Sequence, residues 1–247
     1  MSGIGDYIIN LVRKKKVHFS LLDPDKQSSQ VAGRIAEEVT AAGSSAIMVG
    51  GSTLVDPRQV DATVQVIKEH SDLPVILFPS SARFLSRYAD AVFFMSLLNS
   101  RNLDFVIREH VKGSLVIRDF GIEPISMGYV IVEPGMTAGR IGEADLIKSD
   151  DIDTAVGYAL ASEYLGMRLF YLEAGSGATA AVSNEMITAV KQSAKVPLVV
   201  GGGIRDEHTA LEKVKSGADV IVTGTALEQD PEAYDTLKRI IQIIEAG

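Results

Sequence analysis

The sequence predicts an α/β protein of the (β/α)8 barrel class, commonly called a TIM barrel, and three observations support this. Short apolar runs rich in Val, Ile and Leu alternate with amphipathic stretches along the whole chain. The connections are short, which favours parallel strands joined by right-handed crossovers. The length of 247 residues is typical of one such barrel, and no linker divides the chain. We therefore predict a single domain over residues 1–247, with a doubly wound open sheet as the alternative.

Each element of the barrel can be assigned from its own pattern. The predicted strands are 17–22, 46–49, 74–78, 91–95, 126–133, 169–173, 196–200 and 219–225. The predicted helices are 6–16, 29–42, 57–70, 103–110, 151–165, 184–192, one that begins at Asp206, and 231–246. Gly43 suits a helix end and Pro57 a first helical turn. Residues 115–124 are predicted to be irregular, and 134–150 a long loop.

The segment between the third and fourth strands is too short for the usual crossover. Only residues 79–90 lie there, and a full helix with two loops barely fits. We therefore predict a modified barrel in which the third helix is short or missing, leaving a gap in the helical ring.

Composition limits the classes of function. The net charge of −8 argues against nucleic acid as the main partner. Because the chain has no cysteine, disulfides and thiolate metal sites are excluded. There is no signal-peptide pattern or membrane-length apolar run, so we expect a cytoplasmic protein. The run Lys14-Lys15-Lys16 is interpreted as a solvated helix end, with transient contact to an anionic membrane surface as the alternative.

Two glycine turns near the end of the chain indicate a phosphate site. Gly202 and Gly203 follow the seventh strand and precede a helix, and Gly224-Thr225 follow the eighth. Exposed N–H groups at a strand end and a helix N-terminus bind anions, and the last two units of a barrel commonly hold phosphate in this way. The alternative is that these glycines only make turns.

Polar side chains at other strand ends complete the candidate site. Asp23 could hold Mg²⁺ with Ser52 and substrate phosphates, although Asp23 and Asp25 could equally cap a turn. Tyr171 and Glu173 lie two apart on one strand, so both face the same way and could bind substrate hydroxyls. The alternative for Glu173 is an ion pair with a Lys or Arg.

These positions together predict a phosphate cup, a Mg²⁺ site opposite it and a polar strand between them. Such a barrel would handle two phosphorylated substrates, or one substrate with phosphate at both ends. Schiff-base chemistry at Lys26 stays open, although that lysine lies on a turn and looks exposed.

Several motifs resemble those of the geranylgeranylglyceryl phosphate synthase family, which includes bacterial heptaprenylglyceryl phosphate synthases, and the first motif resembles its larger, archaeal-type subgroup. They are Leu22-Asp23-Pro24-Asp25-Lys26, Val49-Gly50-Gly51-Ser52, Gly128-Tyr129-Val130-Ile131-Val132-Glu133-Pro134-Gly135, Tyr171-Leu172-Glu173-Ala174-Gly175-Ser176-Gly177, Val200-Gly201-Gly202-Gly203-Ile204-Arg205 and Gly224-Thr225. The run from Tyr171 to Gly177 is the most specific. The family tends to show Val-Gly-Asp where this chain has Ile141-Gly142-Glu143, which leaves the role of an acid at 143 open.

The resemblance implies a Mg²⁺-dependent transfer of a geranylgeranyl group from its diphosphate to the sn-3 hydroxyl of sn-glycerol 1-phosphate. It implies that Asp23 and Ser52 hold the Mg²⁺–diphosphate. The chemistry of this transfer predicts that Glu173 is the catalytic residue, which orients the acceptor hydroxyl and accepts its proton, with a hydroxyl anchor as the alternative. The residues implied to hold glycerol 1-phosphate are Tyr171, Leu172, Glu173, Ala174, Gly175, Ser176, Gly177, Gly202, Gly203, Gly224 and Thr225. A homo-oligomer is also expected.

Within the resembled family, a heptaprenylglyceryl phosphate synthase stays open, and so do two functions outside it. One is another phosphate-binding barrel enzyme, such as a sugar-phosphate isomerase or aldolase, which needs an acid and a base flanking a carbonyl. The other is a non-catalytic barrel used for binding or assembly.

Overall fold

Eight parallel strands close into a barrel in the computed structural model, which describes residues 3–53, 56–224 and 231–246. The strands are β1 (Val17–Leu22), β2 (Ala46–Val49), β3 (Val75–Leu77), β4 (Ala91–Leu97), β5 (Glu123–Ile131), β6 (Leu169–Glu173), β7 (Leu198–Gly201) and β8 (Val220–Gly224). Each strand pairs with the next, and β8 pairs with β1, Gly224 lying beside Leu21. The predicted fold class is therefore confirmed, and an open sheet is excluded.

The helices follow the predicted alternation with the strands. They are α1 (Ile4–Val12), α2 (Ser29–Ala42), α3 (Pro57–His70), α4 (Glu109–Phe120), α5 (Met136–Ile141), α6 (Ile152–Tyr164), α7 (Asn184–Ser193), α8 (Glu207–Ser216) and α9 (Pro231–Ala246). None of the described helices is long and apolar enough to cross a membrane.

Strand alternation divides the core into two layers. Side chains such as Phe19, Met48 and Phe93 point into the barrel and form its interior core. Their neighbours along each strand, such as Leu172 and Ile221, point outward and pack under the helices. Since successive residues face opposite ways, the strand register alone decides which side chains reach the mouth of the barrel.

The third helix is missing from the ring, as the short segment 79–90 predicts. A single 3₁₀ turn, Ala82–Phe84, lies between β3 and β4 in its place. The backbone N–H of Ala82 donates to Glu109 Oε2 at 2.7 Å, which fixes this turn to the start of α4. The gap beside the turn becomes one wall of the cavity described below.

The predictions for residues 103–124 were wrong in part. A short π-helix, Asp104–Arg108, runs into α4, and the helix continues to Phe120 where an irregular segment was expected. Gly113 and Ser114 weaken the helical pattern, but α4 packs against the 3₁₀ turn, since a Cβ at Gly113 would be in ordinary contact with Ala82, 3.4 Å away. Gly121 then ends the helix with φ +71°.

The fifth strand and the loop after it also differ from prediction. The strand begins at Glu123 instead of residue 126, because its pairing with β4 extends down to Ala91. The predicted loop 134–150 contains the short helix α5. The strand range 219–225 ends at Gly224 within the described residues, and Thr225 lies outside them.

A buried polar cluster joins the outer side of β1 to the last strand. The His18 ring contacts Ser44 Oγ and Thr223 Oγ1, each at 2.8 Å, and Ser20 Oγ lies 2.8 Å from Ser44 Oγ. His18 is almost fully buried, and this burial lowers its pKa from 6.5 to about 3. The imidazole is therefore neutral in the folded protein at neutral pH.

We predict that His18 makes the fold sensitive to mild acid. Below pH 6.5 the unfolded chain takes up a proton here that the native state accepts only near pH 3, so stability is lost as pH falls through that window. Between pH 7 and pH 5 this one group should cost about 2 kcal/mol. Urea unfolding at pH 7, 6 and 5 should show that loss in the wild type and in His208→Gln, an exposed-site control, but not in His18→Gln. Equal pH slopes in all three proteins would contradict the assignment.

Candidate active site

A single cavity of about 550 Å³ opens at the carboxyl ends of the strands and gathers most of the predicted site residues. Its lining includes Asp23, Ser52, Tyr171, Glu173, Ser176, Gly177, Gly202, Gly203 and Gly224. The cavity also runs between the 3₁₀ turn and α4, where Leu85, Phe94, Phe105, Gly113 and Ile117 form an apolar trough. One cavity therefore joins a polar mouth to a hydrocarbon-lined extension.

Glu173 lies at the end of β6 and is buried. Its Oε1 accepts the backbone N–H of Gly175 at 2.6 Å, and the Tyr171 hydroxyl donates to the same carboxylate. No Lys or Arg of the described residues forms a salt bridge with it, so the ion-pair alternative is not supported. Burial raises the pKa of Glu173, although the two hydrogen bonds oppose that shift. These features suit a carboxylate that accepts a proton near neutral pH.

Aromatic side chains surround this carboxylate. The rings of Tyr129 and Tyr171 lie 5.1 Å apart in an edge-to-face arrangement, and the Phe78 ring lies 5.5 Å from Tyr129. Tyr171 is almost fully buried, so its hydroxyl supports Glu173 more directly than it could reach a ligand. Burial raises the pKa of both tyrosines well above 10, and both remain neutral.

The three consecutive glycines at the end of β7 are explained partly by the protein's own side chains. A Cβ at Gly201 would overlap the Tyr171 hydroxyl, and one at Gly202 would overlap the Glu173 carboxylate. Gly203 adopts φ +72°, and a Cβ there would lie 2.7 Å from the backbone of Ala180. The glycine run therefore leaves room for the Tyr171–Glu173 pair as well as exposing backbone in the cavity.

Leu172 and Ala174 do not present their side chains to the cavity. Both belong to the layer packed under the helices, as the alternation of β6 requires. Gly175 acts through its N–H on Glu173, and Ser176 and Gly177 line the cavity. Thr225 lies outside the described residues.

Asp23 follows β1, the strand next to β8, so the prediction that it lies opposite the glycines expected to bind phosphate was wrong. Leu21 pairs with Gly224 across the seam that closes the barrel, and Asp23 follows two residues later. Gly51 makes room for the Asp23 carboxylate, since a Cβ at that position would overlap it. Asp25 is exposed and absent from the cavity lining.

The structure also shows the surroundings of Lys26 and Glu143, two charged residues whose roles the sequence left open. Lys26 Nζ lies 3.5 Å from Asp23 Oδ2 with its side chain 59% exposed, which does not suit a Schiff-base lysine. Glu143 accepts a hydrogen bond from Asn102 Nδ2 at 2.8 Å, so it anchors the loop after α5. It is not among the cavity residues.

Sequence reasoning missed three contributors to the site. Phe78 and Tyr129 line the cavity, and the inward alternation of Met127 and Tyr129 on β5 was a usable signal for the second. Arg205 donates to the carbonyl oxygens of Gly177 and Ala178 at 2.7 and 2.9 Å and so holds the loop after β6. A local sequence pattern could not identify Arg205 as the partner of this loop, since 27 residues separate it from Ala178.

Fold and site together define an α/β barrel of the kind that binds phosphate groups at the ends of its last strands. The chain matches the PcrB family over residues 10–243 and belongs to that family. It is 49% identical over 237 residues to "Geranylgeranylglyceryl phosphate synthase" of Picrophilus torridus, covering 96% of this chain and 98% of that one. It is 54% identical over 237 residues to the protein of that name from Thermococcus gammatolerans, with 96% and 94% covered.

A solved structure is similar over the full length of both chains. The crystal structure of (S)-3-O-geranylgeranylglyceryl phosphate synthase from Thermoplasma acidophilum, in complex with substrate sn-glycerol-1-phosphate, superposes with a TM-score of 0.97 at 44% identity. The coverage is 100% of each chain.

We predict that Gly224 forms part of an anion site. Its α-carbon faces open space, with Ser176 Oγ 4.0 Å from where a Cβ would stand, so Gly224→Val fills the cavity without backbone strain. Titration calorimetry with inorganic phosphate should show affinity lowered by about tenfold or more, because the side chain occupies the anion's place. Gly157→Val on the exposed face of α6 is the control. If the Gly224 variant bound phosphate as tightly as the wild type, Gly224 would not be part of the anion site.

Proposed function

We propose that this protein transfers a geranylgeranyl group from geranylgeranyl diphosphate to the sn-3 hydroxyl of sn-glycerol 1-phosphate and releases diphosphate. The observation that carries the proposal is the continuity of one cavity, from a mouth of glycines and hydroxyls, past a buried carboxylate with no salt bridge to the described residues, into an apolar trough. A twenty-carbon tail needs such a trough, whereas a sugar-phosphate isomerase or aldolase does not. The family membership and the named relatives support the same activity.

The mechanism follows from the positions of the side chains. The bond between the allylic C1 and the diphosphate oxygen breaks, and the glycerol hydroxyl oxygen forms the ether bond to C1. Glu173 orients that hydroxyl and accepts its proton, and the Tyr171 hydroxyl and the Gly175 N–H hold the carboxylate in place. The trough positions the tail so that C1 lies in the mouth.

The charge balance of the cavity supports a requirement for Mg²⁺. Among the described residues, its lining carries Lys26 and Arg205 against Asp23, Glu109 and Glu173, although both substrates are anions. No cluster of three or more His, Cys, Asp or Glu residues is found in the described part of the chain. We propose that Asp23 and Ser52 hold Mg²⁺ together with diphosphate oxygens, since Mg²⁺ commonly takes few protein ligands. When bound, Mg²⁺ would stabilise the charge that develops on the leaving diphosphate.

The other partners are also proposals. An apolar stripe of Leu103, Ile107, Val111 and Leu115 repeats every four residues, and each of these side chains is more than half exposed. Since a stripe of this kind is typical of helix packing, we propose that it pairs with a second copy of this chain. The mass of the protein in solution tests this homo-oligomer. A cytoplasmic location with transient membrane contact suits the water-soluble acceptor and the lipid donor.

We predict that Glu173→Gln lowers kcat by about 10²–10⁴-fold, the usual contribution of a general base. The melting temperature at pH 7 should not fall, because burial disfavours the charged carboxylate that the substitution removes. Steady-state kinetics and a melting curve test both statements, with Glu133→Gln, at an exposed position in the turn after β5, as the control. Near-normal kcat would rule out the base, and a loss confined to KM would mean that Glu173 only anchors the hydroxyl.

We predict that Asp23→Asn removes most activity and raises the half-saturating Mg²⁺ concentration by about tenfold or more. The reason is that Asp23 supplies the only carboxylate of the proposed metal group. Calorimetry of inorganic diphosphate with and without Mg²⁺ gives a readout that does not depend on turnover. Asp25→Asn, two residues away and exposed, should leave both measurements unchanged. An Asp23 variant with normal Mg²⁺ dependence would exclude the assignment.

A further inference from the structure

Two buried side-chain atoms of the described residues have no hydrogen-bond partner, and both belong to residues that line the cavity. They are Nε2 of Gln27 and Nδ1 of His110. A buried polar atom without a partner is costly, and such atoms are rare in folded proteins. Each of these atoms is closed off from water where it lies, and it would gain a partner if its side chain turned toward the cavity and met a ligand there.

The two atoms lie in chemically different surroundings. His110 is on α4, its ring is 4.4 Å from that of Phe94, and it lines the part of the cavity next to Gly113 and Phe105. Gln27 follows β1 next to Lys26, in the segment that carries Asp23. Gln27 follows a cation of the cavity lining, Lys26, whereas the charged cavity residue next to His110 is the carboxylate Glu109.

The local backbone places Gln27 at the cavity. Asp23 Oδ1 accepts the N–H of Asp25 at 3.1 Å, and the Asp23 carbonyl accepts the N–H of Lys26 at 3.0 Å, which closes a tight turn. On the other side Ser28 caps α2 through the N–H of Val31. Gln27 is therefore held between a turn and a capped helix.

The cavity needs neutral donors in addition to its cations. Arg205 already donates to two carbonyl oxygens of the loop after β6, and Lys26 lies beside the Asp23 carboxylate. A diphosphate carries several acceptor oxygens, more than these two cations can satisfy. A side-chain amide supplies N–H donors without adding charge.

We propose that Gln27 binds the diphosphate of the prenyl donor through its side-chain amide and thereby selects that substrate over the acceptor. The hydrogen bond runs from Nε2–H to a diphosphate oxygen. It would strengthen as the leaving group gains negative charge, because bonds to a charged acceptor are stronger than neutral ones. This inference deepens the proposed function and rests on it for the identity of the donor.

Gln27→Leu tests the proposal, since it removes the amide and keeps much of the side-chain volume. The Kd of inorganic diphosphate and the KM of geranylgeranyl diphosphate should each rise about tenfold or more. The Kd of sn-glycerol 1-phosphate should change less than about twofold. The melting temperature should stay the same or rise, because the native protein loses an unpartnered buried donor. Gln30→Leu, an exposed glutamine three residues further along, is the matched control and should behave as the wild type.

The outcomes separate this proposal from others. A lower melting temperature with unchanged diphosphate binding would mean that Gln27 is structural, and equal weakening of both ligands would mean that it does not distinguish them. Either result overturns the proposal. If the wild-type protein transferred no prenyl group but Gln27→Leu still weakened inorganic diphosphate binding, the proposed function would fail while the role of Gln27 would stand.

Discussion

The pairing of β8 with β1 closes the barrel, and the site takes its arrangement from that closure. Gly224 and Leu21 are neighbours across the seam, so the ends of the first and last strands meet although about 200 positions separate them. The seam places the strand that precedes Asp23 beside β8 and not across the mouth from it. Two anionic substrates are thereby expected next to each other, which explains why cations and N–H donors matter so much in this cavity.

Closure of the barrel also limits which side chains fit at the centre of its mouth. Strand alternation directs Tyr171 and Glu173 inward, and the volume they occupy is available only because residues 201 and 202 lack a Cβ. A carboxylate placed there is deprived of water and has no cation to compensate it among the described residues. Burial of this carboxylate costs free energy, and the protein tolerates that cost. Carboxylates buried in this way are common at sites that transfer protons. The burial of Glu173 therefore lowers the stability of the fold while it suits the proposed proton transfer.

Most of the architecture could be predicted because it follows from periodicity. The strands β1, β2 and β6 and the helices α2 and α3 begin and end where their apolar patterns and caps predict. The segment from Gly113 to Phe120 could not be predicted in the same way, since its helix depends on packing against the 3₁₀ turn after β3. Distant partners, such as Arg205 for the loop after β6, leave no periodic trace in the sequence.

The tyrosine pair at the mouth has an optical consequence. The chain has no tryptophan and seven tyrosines, so tyrosine dominates its near-ultraviolet absorbance and emission. Tyr129 and Tyr171 are almost completely shielded from water, and one of them donates a hydrogen bond to the carboxylate proposed to gain the proton. A change in the protonation of that carboxylate alters the phenol beside it. The protein therefore contains its own spectroscopic reporter, and events at the reacting centre can be followed without an added dye.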